Sequence, residues 1–178
     1  MQRQGRIILL SGESGLGKTT LCVKLLEKLK EIPLIVNGVV CPPLYEGSIK
    51  FGIEILILKS NEKRQLARLN KGENNGLFTR KWLFDETVTA WGNQELAKAT
   101  PCDVLVIDEL GPLEFERDSG FLNAFTAINS RDYRSALVVI RPSLLAKAIE
   151  HWPDAFAVSI TSETRETLLH QVFDLLTH

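Results

Sequence analysis

The run Gly12-Glu13-Ser14-Gly15-Leu16-Gly17-Lys18-Thr19 matches the pattern G-x-x-x-x-G-K-[ST] without a gap. An apolar stretch, residues 6–10, enters it. An amphipathic stretch, residues 18–30, leaves it with Leu21, Leu25 and Leu29 on one face. Strand, tight turn and helix form the setting in which this spacing has chemical meaning. Polyphosphate oxygens need several N–H donors pointing inward from one turn. Gly15 and Gly17 let the backbone approach closely and adopt conformations that other residues avoid. A helix beginning near Lys18 adds unpaired N–H groups and a positive dipole end. Lys18 reaches the outer phosphate oxygens, and the Thr19 hydroxyl is a ligand for Mg²⁺. The candidate nucleotide-binding residues are thus Gly12, Glu13, Ser14, Gly15, Leu16, Gly17, Lys18, Thr19 and Thr20. Glu13 is expected to turn its carboxylate outward, since a bound anion would repel it.

A second acidic signal lies some ninety positions downstream. Residues 104–107 form an apolar strand that ends in Asp108 and Glu109. Acids end many strands, so the pattern is weak alone. Beside a complete phosphate loop it becomes the second half of one site. Asp108 is then placed to hold Mg²⁺, directly or through water. Glu109 is placed to orient or deprotonate a water aimed at the γ-phosphate.

The rest of the chain alternates between strand-like and helical patterns. Further extended stretches are expected at 34–41, 51–58, 136–140 and 155–160. Helices are expected at 83–98, with Phe84, Val88 and Trp91 as the apolar stripe, and at 143–150. Another is expected from an Asp118 cap through Phe121, Leu122, Phe125 and Ile128. A last helix, capped by Thr161 or Ser162, turns Leu168, Leu169, Val172 and Leu176 inward. Pro42-Pro43 and Glu46-Gly47 make a hairpin plausible between the second and third extended stretches. Buried strands alternating with helices imply an α/β fold. Its sheet is mostly parallel with helices on both faces, and the 34–58 region adds antiparallel strands at one edge. With 178 residues, no repeat and no long linker, the chain reads as a single domain spanning 1–178.

Composition narrows the classes of function. The 21 Lys+Arg nearly balance 22 Asp+Glu, giving a net charge of −1, so nucleic acid is not an expected partner. No segment approaches the ~18 apolar residues of a membrane span. The N-terminus has only four apolar residues in a row, Ile7 to Leu10, short of a secretory leader. Cys22, Cys41 and Cys102 lack metal-ligand spacing and are odd in number. They fit reduced thiols in the cytoplasm.

At this point the sequence resembles a known family, the small P-loop nucleoside triphosphatases of THEP type, known from thermophilic prokaryotes and with a human cancer-related relative. The resemblance runs through Gly12–Thr19 with Thr20, the 38–57 strand pair with Gly52, the run from Ile107 to Glu114, and residues 159–165. It implies a RecA-like fold and Mg²⁺-dependent hydrolysis of ATP, GTP and further nucleoside triphosphates to the diphosphate and phosphate. Lys18 and Thr19 match the phosphate and metal contacts, Asp108 the metal-side acid and Glu109 the catalytic acid. Glu114 closes the Asp-Glu-x-Gly-x-x-Glu pattern. The resemblance also places the loop carrying Thr161, Ser162 and Arg165 near the nucleotide, so Arg165 joins the candidate binding residues; the alternative is an N-cap followed by a solvated arginine. Two places depart from the family pattern. Pro112 stands where many members have Lys, and residues 45–50 carry Lys50 as their one basic residue.

Two further features admit more than one reading. Arg141 follows a strand at the edge where α/β sheets bind ligands. It is either a cation for the γ-phosphate or a surface arginine beginning a turn. The polar stretch 60–81 carries Lys63, Arg64, Arg68, Lys71, Arg80 and Lys81, with a mobile-looking 72–76 centre. A kinase would use such a run as a lid; the plainer reading is a solvated loop. A nucleotide-controlled binding module would present the same loop to a protein partner, which the sequence does not identify. The paired acids favour water as the acceptor over a kinase substrate.

Overall fold

The computed structural model describes residues 5–178, so the N-terminal reading falls partly on residues 1–4, outside them. Among the described residues nine strands join one sheet in the order β6-β5-β4-β2-β7-β8-β1-β9, with β3 paired to β4. Five of them, β1 (Arg6–Ser11), β2 (Val36–Val40), β7 (Val104–Leu110), β8 (Ser135–Ile140) and β9 (Phe156–Ser159), run parallel. β8 lies between β1 and β7, the RecA-like arrangement. It sets the ends of β1 and β7, and hence both halves of the candidate site, on one edge of the sheet. The flank is antiparallel: β3 (Pro43–Glu46), β4 (Ile49–Ile57), β5 (Lys63–Leu69) and β6 (Trp82–Phe84).

Alternation along the buried strands divides the core in two. Ile7, Leu9, Leu105, Ile107, Ala136 and Val138 face one side. There they meet α2 (Glu86–Leu96), α4 (Asn123–Asn129) and α5 (Leu145–His151). Ile8, Leu10, Val104, Val106, Leu137 and Val139 face the other, against α1 (Lys18–Leu29) and α6 (Leu168–Thr177). The period of two along each strand is what allows a central strand to serve both faces. Leu21, Leu25 and Leu29 are buried as the α1 stripe requires, and Leu168, Val172 and Leu176 do the same for α6.

Several local expectations need correction. The 60–81 stretch is not a loop throughout. Its first part is β5, whose exposed Lys63, Arg64 and Gln65 precede the buried Leu66 and Ala67. At the start of the 72–76 centre, Asn70 Oδ1 accepts from the N–H groups of Gly72 and Glu73 at 2.9 and 2.8 Å. Helix α2 starts later than 83. Asp85 caps it, its Oδ1 accepting from Val88 N at 2.9 Å, while Phe84 belongs to β6. Asp118 caps nothing; α3 (Pro112–Glu116) and α4 are separate short helices, and Leu122 stays partly exposed. Thr161 closes a turn with Thr164 by reciprocal hydrogen bonds of 3.0 and 3.2 Å, and α6 begins only at Leu168.

Candidate active site

The phosphate loop bridges β1 and α1. Gly17 has φ 90° and Gly15 φ 85°, the left-handed region where a side chain is strained. Gly12 serves a different need: a Cβ there would lie 2.8 Å from the Ile160 carbonyl and closer still to the Ile160 side chain. The loop therefore sits directly against the end of β9. Glu13, Ser14, Gly15 and Thr20 are exposed, Leu16, Gly17 and Thr19 half-buried, and Lys18 buried. Lys18 Nζ donates to the Gly12 carbonyl and, at 2.9 Å, to the Glu13 carbonyl. Two carbonyls thus hold its ammonium beneath the loop. The Glu13 side chain points outward as expected, while its backbone serves the lysine.

Asp108 meets this loop across 89 residues of sequence. Thr19 Oγ1 donates to Asp108 Oδ1 at 3.3 Å, and Cys41 N donates to Asp108 Oδ2 at 3.3 Å. Asp108 is 2% exposed. Burial, and then the adjacent Glu109 charge, push its carboxyl from 3.8 up to about 7; the Thr19 and Cys41 hydrogen bonds and the Lys18 charge act the other way. The Cys41 thiol is itself pushed up by burial and by Asp108. Glu109 lies nearer the surface, and Arg141 Nε donates to its Oε1 at 2.6 Å. Arg141 is therefore part of the site's edge, engaged by a carboxylate. Arg165 rests on the phosphate loop: a Cβ built on Gly17 would stand 3.4 Å from Arg165 Nε.

The residues present suit Mg²⁺. That ion takes hard oxygen ligands and keeps several waters. The Thr19 hydroxyl and the Asp108 carboxylate are such a pair, already within hydrogen-bond reach. A buried carboxyl with a raised pKa is also a group that a cation draws back into its charged form. Among the described residues no three His, Cys, Asp or Glu side chains gather into a metal cage. The donor set thus fits an ion that shares its shell with phosphate and water.

Glu114 does not face the loop. It is buried, its Oε2 accepts from Gly111 N and its Oε1 from Phe121 N, both at 2.8 Å, so it braces the chain that follows β7. Two of the three arginines in 60–81 are engaged within their own neighbourhood. Arg68 pairs with Glu73 at 2.8 Å, and Arg64 lies 3.9 Å from the centroid of the Trp91 ring. Sequence reasoning missed the Cys41 N–H that steadies Asp108. A backbone donor at the end of the neighbouring strand carries no residue-type signal.

A family model described as NTPase matches residues 7–173 of the chain. Nucleoside-triphosphatase THEP1 of Methanopyrus kandleri is 26% identical over 170 residues, covering 94% of this chain and 93% of that protein. The protein of the same name from Methanocaldococcus jannaschii is 29% identical over 177 residues, with 94% and 95% covered. The solution structure of a human cancer-related nucleoside triphosphatase matches with a TM-score of 0.75 at 23% identity, covering 97% of this chain and 98% of that one. The crystal structure of THEP1 from the hyperthermophile Aquifex aeolicus matches with a TM-score of 0.64 at 22% identity, covering 97% and 99%. At such identities the two structures speak to the fold.

Proposed function

The chain belongs to this NTPase family, and from that premise we propose that it hydrolyses nucleoside triphosphates, ATP and GTP among them, with Mg²⁺ as cofactor. The observation that carries the reading is the contact between Thr19 and Asp108, which joins a complete phosphate loop to the acidic strand end. The loop amides from Gly12 to Thr19, with Lys18, bind the phosphate tail. Thr19 and Asp108 would hold Mg²⁺, which would supply charge neutralisation on the phosphate tail. Arg165, lying on Gly17, adds a cation at the loop's outer side.

Water attacks the γ-phosphorus in line with the bridging oxygen. The new P–O bond forms as the bond to the bridging oxygen breaks, and its electron pair leaves with the β-phosphate. Glu109 orients the water. Arg141 occupies its Oε1, which leaves Oε2 to accept the water proton and pass it to the departing phosphate. Arg141 acts through Glu109 as a positioning residue. The three cysteines form no disulfide, and no described helix is long and apolar enough to cross a membrane. We place the protein in the cytoplasm on the thiol chemistry.

Paired variants test the assignment. Lys18→Ala loses Mg-ATP binding by calorimetry. Glu109→Gln retains binding but loses most phosphate release. A Glu109→Gln protein that turns over at the parental rate removes Glu109 from the chemistry.

A further inference from the structure

Phosphoryl transfer spreads negative charge over the equatorial γ-oxygens, and a cation beyond the phosphate loop lowers that barrier. Arg141, the obvious donor, is held by Glu109. The sheet supplies another. β2 pairs with β4 only at Val39↔Ile57 and Val40↔Leu56, so the first part of β4 runs past the end of β2. That is the edge on which Asp108 and Glu109 lie, since β2 is parallel to β7 and pairs Val39 with Ile107. β5 and β6 follow the overhang, with Gly52 opposite Arg68 and Leu69 opposite Trp82.

The overhang brings two lysines onto one aromatic ring. Lys50 Nζ stands 5.0 Å and Lys81 Nζ 5.4 Å from the centroid of the buried Trp82 ring, within cation–π range. Among the described residues neither ammonium has a carboxylate partner. Burial lowers the Lys50 pKa, and so do the charges of Lys81 and, more weakly, Arg141. Glu109 and Asp108 act in the opposite direction. The Lys50 ammonium thus shares one electrostatic neighbourhood with both site acids. An unneutralised, part-desolvated cation held there is what an incoming anion meets.

We propose that Lys50 is a catalytic residue of this hydrolysis, its ammonium meeting the γ-phosphoryl oxygens from the β4 overhang, with Trp82 positioning it and Lys81 adding to the local positive potential. The inference rests on the hydrolase reading above. Lys50 stays protonated throughout; it accepts no bond and gives up no proton. Its contribution grows as charge moves onto the γ-oxygens, so it acts on turnover more than on ground-state affinity.

The test compares Lys50→Met, Lys50→Arg and Lys81→Met with the parental chain, each checked by melting temperature. It measures steady-state phosphate release from Mg-ATP and the affinity for Mg-ADP with and without aluminium fluoride, a mimic of the transferring phosphoryl group. Lys50→Met lowers kcat by about 10²-fold or more, as expected for loss of one transition-state donor. It binds Mg-ADP like the parent and loses the extra affinity that aluminium fluoride confers. Lys50→Arg restores a substantial part of both. Lys81→Met falls severalfold, chiefly through KM, and the difference fades at high salt. A Lys50→Met protein with parental kcat and a parental aluminium fluoride complex overturns the proposal. So does one whose Mg-ADP affinity falls as far as its rate, because the lysine would then bind all states alike. If the parental chain itself releases no phosphate and gains no affinity from aluminium fluoride, the hydrolase reading fails, and this inference with it.

Discussion

Asp108→Asn is expected to stabilise the metal-free protein while abolishing its activity. The Asp108 carboxyl is buried and raised from 3.8 to about 7. At about 1.36 kcal/mol per pKa unit, that shift of about 3 units sets a ceiling near 4 kcal/mol on the cost of keeping the group ionised. Local relaxation and water entry reduce it, and we expect about half, near 2 kcal/mol. The sign follows from linkage. A carboxyl raised on folding binds its proton more tightly in the folded state. Stability is therefore fully retained below about pH 4 and declines as pH rises towards about 7. Asparagine avoids that decline and keeps both contacts: its carbonyl oxygen can accept from Cys41 N, and its amide can donate to Thr19 Oγ1. Thermal melts in EDTA at pH 8 should place Asp108→Asn about 4–8 °C above the parent, a gap scaled for a chain of this size. The gap should shrink towards pH 5. Saturating Mg-ATP should reverse the order, because only the parent then gains binding energy. Equal melting temperatures in EDTA at pH 8, or a gap unchanged between pH 5 and 8, would refute the reasoning.

Three other perturbations separate the parts of the site from the scaffold. Arg141→Gln frees Glu109 Oε1 and should lower kcat by about tenfold or more at unchanged Mg-ADP affinity, with Arg141→Lys recovering part of the loss in stopped-flow phosphate release. Arg165→Ala, which strips a cation from the outer side of Gly17, should raise KM by roughly tenfold and leave kcat near the parental value in a substrate titration. Asp85→Ala removes the cap of α2 and should cost about 1 kcal/mol in urea unfolding with turnover unchanged, since it touches no site residue. A larger loss of activity there would mean that α2 communicates with the site.

The parts of the fold written in contiguous residues were legible before the structure. Eight consecutive positions define the phosphate loop, and an apolar run followed by two acids marks β7. In both, local chemistry and tertiary role coincide. The missed elements share a physical cause, which is that their pattern is settled by packing partners. β5 begins with three exposed polar residues, so it reads as a solvated loop; only pairing with β4 and β6 makes it a strand. Phe84 continued the α2 stripe by chance, and the Asp85 cap decides the boundary. Glu114 matched the family pattern as an acid, yet its oxygens are consumed by Gly111 and Phe121 backbone groups. Arg141 was legible as a basic residue following β8 at the sheet edge, but its hydrogen bond to Glu109 depends on strand order, which no short motif encodes.

The central claim is that water attacks the γ-phosphorus in a site built from the phosphate loop and the two acids at the end of β7. Hydrolysis of Mg-ATP in ¹⁸O-enriched water, followed by mass spectrometry of the products, tests it most directly. The account predicts solvent oxygen in the released inorganic phosphate, none in the ADP, and suppression of both products in Glu109→Gln. Label in the diphosphate, or phosphate release unchanged in Glu109→Gln, would contradict it.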